Sequence, residues 1–193
     1  MPSTLPPDRI GARATAAATL TVSGLVVRSI HGVHLLGPVS FTAEPGQVTL
    51  LTGSDPAARW ALASAVTGRL PLERMRVGGT VSVAGHTTPP LIRNDSVLAQ
   101  SWRIRGVADD AERRLAALAW ASSLRVGLIV LSPGLDGLDE PGCRVVLDAA
   151  VRVAESGRTV LVTAPTSAAG AAEQHLVGAT ITLPSGHRNQ SAA

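Results

Sequence analysis

The stretch that most constrains the fold is QVTLLTGSDPAARWALASAVTGRL, residues 47–70. It begins with the apolar run Gln47–Thr52, which is typical of a buried strand, and continues through Gly53 into the Ala- and Leu-rich segment Ala57–Val66, which is typical of a helix. A strand, a glycine turn and a helix in this order form the frame of a phosphate-binding loop. The sequence therefore predicts such a frame at residues 53–60.

A working loop of the G-x-x-x-x-G-K-[ST] type needs backbone N–H groups around the phosphates, a Lys for the outer phosphates and a hydroxyl for Mg²⁺. Here Arg59 stands at the Lys position and Trp60 at the hydroxyl position. In order, the eight positions hold Gly53, Ser54, Asp55, Pro56, Ala57, Ala58, Arg59 and Trp60. The frame is kept, but the groups that bind the nucleotide and metal are not.

Composition narrows the classes of function. The chain has 193 residues, is 45% hydrophobic and has a formal net charge of +3. It contains no Tyr and one Phe, so it offers no platform for stacking nucleic-acid bases. Its single Cys, Cys143, excludes an internal disulfide and is expected to be a small buried hydrophobe. All basic residues are Arg rather than Lys, which we take to indicate a GC-rich bacterial coding genome.

We expect one domain at residues 18–184, preceded by a disordered arm at 1–17 and followed by a flexible tail at 185–193. No run approaches the ~18 apolar residues that cross a bilayer, and the arm lacks the apolar core of a signal peptide. The predicted location is the cytoplasm.

Short apolar strands that alternate with helices predict a parallel sheet covered on both faces. The first strands have no helices between them, so the predicted fold is a P-loop NTPase-type α/β domain with an antiparallel β subdomain. Strands are predicted at 20–27, 39–43, 47–52, 80–84, 96–100, 126–131, 159–163 and 179–183, helices at 57–66, 109–123, 144–154 and 168–175, and turns at 30–32, 36–38 and 78–79.

Five further landmarks follow one another in a known order. They are the lead-in LLGPVSFTAEPG, the strand segment LPLERMRVGGTVSVAG, VLAQ ending in Gln100, LIVLSPGLDGLD, and ESGRTVLVTAP. Together with the loop frame, they resemble the nucleotide-binding domain of ABC transporters over about residues 20–184. In that resemblance VLAQ corresponds to the Q-loop, and LIVLSPGLDGLD to Walker B and the D-loop.

The resemblance also shows which residues are changed. The Walker A Lys corresponds to Arg59, the Mg²⁺ hydroxyl to Trp60, the Walker B carboxylates to Ser132 and Pro133, and the switch His to Ala164. The resemblance thus implies a degenerate nucleotide site made by Gly53, Ser54, Asp55, Ala58, Arg59, Trp60 and Gln100, with no catalytic residue and no metal ligand.

The segments that couple the family's ATPase to its membrane partner differ as well. The family's signature segment corresponds to residues 108–112, where an acidic pair, Asp109 and Asp110, would repel phosphate. Only SWRIRGV separates Gln100 from this segment, so the helical subdomain is expected to be shortened. His31 lies near the position of the family's adenine-stacking aromatic, but we expect an ordinary surface histidine there.

Several residues have two interpretations. Arg59 is expected to be a solvent-exposed arginine of the first helical turn, and the alternative is a phosphate ligand. Trp60 and Trp102 either fill or cover the former nucleotide site, or pack in the core. Asp139 is expected to cap the following helix, with a dimer-interface role as the alternative.

These observations predict a catalytically inactive pseudo-ATPase that acts as a binding, assembly or regulatory subunit. ATP would bind weakly or not at all, without metal. The expected partner is an intact ABC-type ATPase, a membrane protein or a second copy, with the membrane reached only through a partner. The alternatives are a subunit that completes a composite hydrolytic site with an active ATPase and a sensor that binds ATP without Mg²⁺. A nucleic-acid partner ranks last.

Overall fold

The structure, a computed structural model, describes residues 18–84, 86–88, 96–99, 110–124, 126–170 and 178–184. The strands are β1 Leu20–Ser29, β2 His34–Ala43, β3 Val48–Thr52, β4 Met75–Val83, β5 His86–Thr88, β6 Ser96–Ala99, β7 Leu128–Leu131, β8 Thr159–Ala164 and β9 Ala179–Thr182. The α-helices that lie wholly in these ranges are α1 Pro56–Val66, α2 Asp110–Ser123 and α3 Glu140–Glu155.

The parallel sheet has the strand order β6-β7-β8-β3-β9, and every pairing in it is parallel. Strands β3, β7 and β8 are buried along their whole length, as their predominantly apolar sequences favour. Successive side chains of a strand point to opposite faces, so Leu51 packs on the side of α1 while Leu50 packs on the side of α2 and α3. Helices therefore cover both faces of this sheet.

The second sheet is antiparallel, in the order β2-β1-β4-β5. Its inner face, which includes Leu20, Val22 and Phe41, shares one hydrophobic core with α1. At Gly79 the backbone has φ +87°, and a Cβ there would lie 2.4 Å from the carbonyl oxygen of Gly24, so only glycine fits this irregular pairing. The predicted fold class, a parallel sheet flanked by helices with an antiparallel β portion, is confirmed.

Two predicted turns are wrong. Residues 36–38 lie inside β2, and residues 78–79 lie inside β4. Pro38 is tolerated because β2 is an edge strand, where a missing N–H costs no hydrogen bond on the open side. The turn at residues 30–32 is confirmed.

Other predicted boundaries agree with the structure to within a few residues, with three exceptions: α3 begins at Glu140 rather than Arg144, β2 at His34 rather than Val39, and β4 at Met75 rather than Thr80. Strand β5 was not predicted. Most of the predicted helix 168–175 lies outside the described residues, as do the terminal segments 1–17 and 185–193, so the domain boundaries stay predictions. None of the described helices is long and apolar enough to cross a membrane.

Candidate functional site

The loop between β3 and α1 lies at the carboxyl edge of the parallel sheet. Gly53 N–H donates to the carbonyl oxygen of Ala164 at the end of β8 (3.2 Å), and Leu183 N–H donates to Thr52 O (2.7 Å). A Cβ on Gly53 would lie 3.3 Å from the Cβ of Leu183. The loop is thus fixed by the ends of both neighbouring strands, in the position where an α/β sheet binds ligands.

The start of α1 already carries a carboxylate. Asp55 is the N-cap residue, and its Oδ1 accepts a hydrogen bond from Ala57 N–H (2.8 Å). Pro56, in the first turn, has no N–H to offer. An anion and a missing donor therefore occupy the helix end that would otherwise attract phosphate.

Arg59 is buried, with 4% of its surface exposed, so the prediction of a solvent-exposed arginine is wrong. Its Nη1 donates to the carbonyl oxygen of Gly53, and its Nη2 forms an ion pair with Oδ1 of Asp136. Asp136 lies in the loop after β7 and is 29% exposed. The guanidinium thus binds the loop's own backbone and an internal carboxylate, which compensates its charge.

A second buried arginine reaches the same loop. Arg114 of α2, also 4% exposed, donates from Nη2 to the carbonyl oxygen of Asp136 and from Nη1 to Asp110 O (2.9 Å). Its Nε has no hydrogen-bond partner in the described part of the chain. Burial lowers the pKa of Arg114, against the raising effect of Asp110 and Asp136. We call Arg59, Asp136 and Arg114 the arginine–aspartate cluster.

Sequence analysis missed the role of Asp136. The residue sits in the GLDGLD segment, whose second Asp drew attention as part of a D-loop. Asp136 lies 77 residues from Arg59 in sequence, and only the packing of α1 beside the loop after β7 brings them together. No local pattern could have paired them.

The two Walker B positions offer no carboxylate. Ser132 is nearly buried and Pro133 follows it. The next two residues are attached to the end of β8, since Gly134 N–H donates to Thr163 Oγ1 (3.0 Å) and Leu135 N–H to Thr163 O (2.9 Å). A Cβ on Gly134 would lie 2.3 Å from Thr163 O, so this approach requires glycine. Hydrogen bonds to the end of β8 thus fix the segment that follows Ser132 and Pro133.

Asp139 caps α3, as predicted. Its Oδ1 accepts from Gly142 N–H (2.9 Å), and Pro141 lies in the first turn. Cys143, one turn into the helix, is buried, which confirms the expectation of a small buried hydrophobe, and burial raises the pKa of its thiol.

Clefts of about 610 and 650 Å³ border the segment from Gly137 to Gly142. The charged residues that line the second cleft are Asp110, Glu112, Asp139 and Arg113, and Arg113 pairs with Asp110. This lining disfavours a phosphate.

The remaining predicted site residues do not converge on an open site. Ser54 is exposed, and Ala58 of α1 is buried in the core. Trp60 is 42% exposed, so it does not pack in the core, and its role of filling or covering a nucleotide site stays a prediction. His31 is exposed, as expected, while Gln100 and Trp102 lie outside the described residues. In the described part of the chain, no three His, Cys, Asp or Glu residues lie together as metal ligands could.

No protein-family model matches this chain, and no curated protein matches it. Solved structures do. A nucleotide-free ATP-binding cassette from an ABC transporter is similar with a TM-score of 0.67 and 12% identity, over 88% of this chain and 92% of that one. The ADP conformation of a cassette of an ABC transporter gives 0.66 and 11% identity, over 86% and 87% of the two chains.

The chain has the ABC ATP-binding cassette fold. A third cassette-fold structure, described as an ABC transporter ATP-binding protein from Pyrococcus furiosus, has a TM-score of 0.60 and 14% identity, over 86% of this chain and 97% of that one. The resemblance inferred from the sequence landmarks is confirmed at the level of the fold. At identities of 11% to 14% the likeness shows the cassette fold alone.

Proposed function

We propose that this cassette-fold domain does not hydrolyse ATP and acts as a binding or assembly subunit for another protein. The observation that carries the proposal is the ion pair between Arg59 and Asp136. Arg59 is the cation at the position where a phosphate loop holds its ligand, and an internal carboxylate already compensates its charge.

Phosphoryl transfer depends on groups that hold the phosphates and neutralise the charge that develops on them. To serve that purpose, Arg59 would have to leave both Asp136 and the Gly53 carbonyl. The incoming triphosphate would also meet the carboxylate of Asp55, which already accepts an N–H of α1. Both features oppose binding of an anion.

The side chains that usually bind Mg²⁺ and activate the attacking water are absent from the corresponding positions. Ser132 and Pro133 stand where carboxylates would hold Mg²⁺ and polarise water, and Trp60 stands where a hydroxyl would bind the metal. The hydrogen bonds from residues 134 and 135 to Thr163 hold this segment against the end of β8. These features support a domain that retains the fold after losing the reaction.

The similar solved structures suggest what kind of partner this domain binds. Two of the three similar structures are ATP-binding cassettes of ABC transporters. We therefore propose an intact ABC-type ATPase, a membrane protein or a second copy of this chain as the partner, in the cytoplasm. The seven residues after Gln100 support a shortened helical subdomain, so the mode of attachment would differ from that of an ordinary transporter.

The test is a calorimetric titration of the purified chain with ATP, with and without Mg²⁺, together with a phosphate-release assay. We expect no phosphate release above buffer and no binding with Mg²⁺. Heat of binding only without Mg²⁺ would instead identify a nucleotide sensor. Turnover that disappears in Arg59→Ala would overturn the proposal, and a partner ATPase whose rate depends on this chain would establish the composite site.

A further inference from the structure

Two turns lie side by side at one end of the antiparallel sheet. One, at residues 30–33, joins β1 to β2, and the other, at 71–74, leads into β4. Ile30 N–H donates to the carbonyl oxygen of Arg74 (2.9 Å), which fixes the two turns next to each other. We call segments 28–34 and 71–76 together the sheet tip.

The sheet tip exposes apolar side chains. Ile30 and Val33 are each 46% exposed and Leu72 is 39% exposed. These are three of the six large hydrophobic residues that are exposed in the described part of the chain. Their grouping on two adjoining turns marks a contact surface, since single exposed apolar residues are ordinary but clustered ones are not.

Basic side chains form a row beside these residues. Arg28 of β1 lies directly opposite His34 of β2 on one side and Arg76 of β4 on the other. Directly opposite residues share a sheet face with their Cβ atoms about 5 Å apart, and like charges in this arrangement destabilise a sheet. Folding therefore gains nothing from this row, which favours a role in binding an anion.

The charges of the row are not compensated within the described residues. Arg28 and Arg76 are exposed, and no carboxylate pairs with either. Arg76 donates from Nη1 only to the carbonyl oxygens of Leu72 and Met75, both at 3.3 Å. The sheet tip contains a third arginine, Arg74, and its one acidic residue is Glu73.

We propose that the sheet tip docks directly on an anionic phospholipid surface, with Arg28 and Arg76 at the headgroups and Ile30, Val33 and Leu72 entering the interface. A lipid surface combines dense negative charge with an apolar layer just beneath it, and the sheet tip presents the complementary pair. A peptide that added a strand would pair with the free edge of β2, whereas Arg28 and Arg76 lie on β1 and β4, away from that edge. This inference does not depend on whether the domain binds ATP.

The test is flotation of the full chain with phosphatidylcholine vesicles that do or do not contain phosphatidylglycerol. Binding should require the anionic lipid and should weaken as salt is raised, because headgroup attraction is screened over about 10 Å at 0.1 M salt. In the double variant Arg28→Gln, Arg76→Gln we expect the partition coefficient to fall about 25-fold, since each arginine near such a surface contributes about fivefold.

The matched control is Arg144→Gln, Arg152→Gln, which removes the same charge from the exposed face of α3 and should leave partitioning unchanged. Ile30→Ser, Val33→Ser should weaken binding at both low and high salt while the circular dichroism spectrum stays native. Equal loss in the α3 variant, or equal binding to neutral vesicles, would overturn the proposal. So would tight binding to polyglutamate that the Ile30 and Val33 changes leave intact, which would indicate an acidic protein instead.

Discussion

The arginines beside the loop after β3 and those on the sheet tip lie in opposite environments. Arg59 and Arg114 are buried, and both contact Asp136. Arg28 and Arg76 are exposed and lie opposite each other across two strands, without a carboxylate partner in the described residues. The first two arginines are thus bound to groups of the protein itself, whereas the other two are available to a ligand.

The two regions differ in how well they could bind an anion. At the phosphate-loop frame the carboxylate of Asp55 caps α1 and that of Asp136 pairs with Arg59. On the sheet tip, no described carboxylate pairs with Arg28 or Arg76. The loop between β3 and α1 is therefore the less favourable of the two regions for an anionic ligand.

The largest effect on stability is expected for Asp136→Ala, which leaves Arg59 buried without its carboxylate. Breaking a buried ion pair costs about 3–5 kcal/mol, and we expect about 2 kcal/mol here because the carboxylate is partly exposed. Urea unfolding measures the loss. The control is Glu140→Ala, which breaks the exposed pair with Arg144 and should cost less than about 1 kcal/mol. Equal losses in the two variants would show that the cluster is not held in solution.

A smaller effect is expected for Asp55→Ala, which removes the cap of α1 and should cost about 1 kcal/mol. Asp55→Asn keeps an acceptor for Ala57 N–H but removes the negative charge, so it should preserve most of the stability. Thermal unfolding of both variants separates the two contributions. If Asp55→Asn were as unstable as Asp55→Ala, the charge rather than the hydrogen bond would be the stabilising feature.

The smallest effect is expected for Arg28→Gln, Arg76→Gln. Removing two like charges that face each other across the sheet should raise the free energy of unfolding by about 0.2–0.5 kcal/mol. The change should disappear in high salt, where the repulsion is screened. A clear loss of stability would mean that these arginines support the fold, and the comparison between the two regions would then fail.

Part of this molecule could be predicted because the relevant signals are local. Asp139 lies immediately before a helix with Pro141 in its first turn, and the cap was predicted from those neighbours alone. The apolar runs of β3, β7 and β8 likewise predicted buried parallel strands. The predictions of turns at 36–38 and 78–79 were wrong because edge strands and irregular positions within strands accept the same Gly and Pro residues as turns do.

The sequence by itself determined the order of most strands and helices, the phosphate-loop frame at residues 53–60 and the residue types that stand in it. Only the tertiary structure decided that Arg59 is buried against Asp136 and that His34, Arg28 and Arg76 form one row. The physical reason is that capping and periodicity act between neighbours in the chain, whereas ion pairs and strand register join residues that only packing brings together.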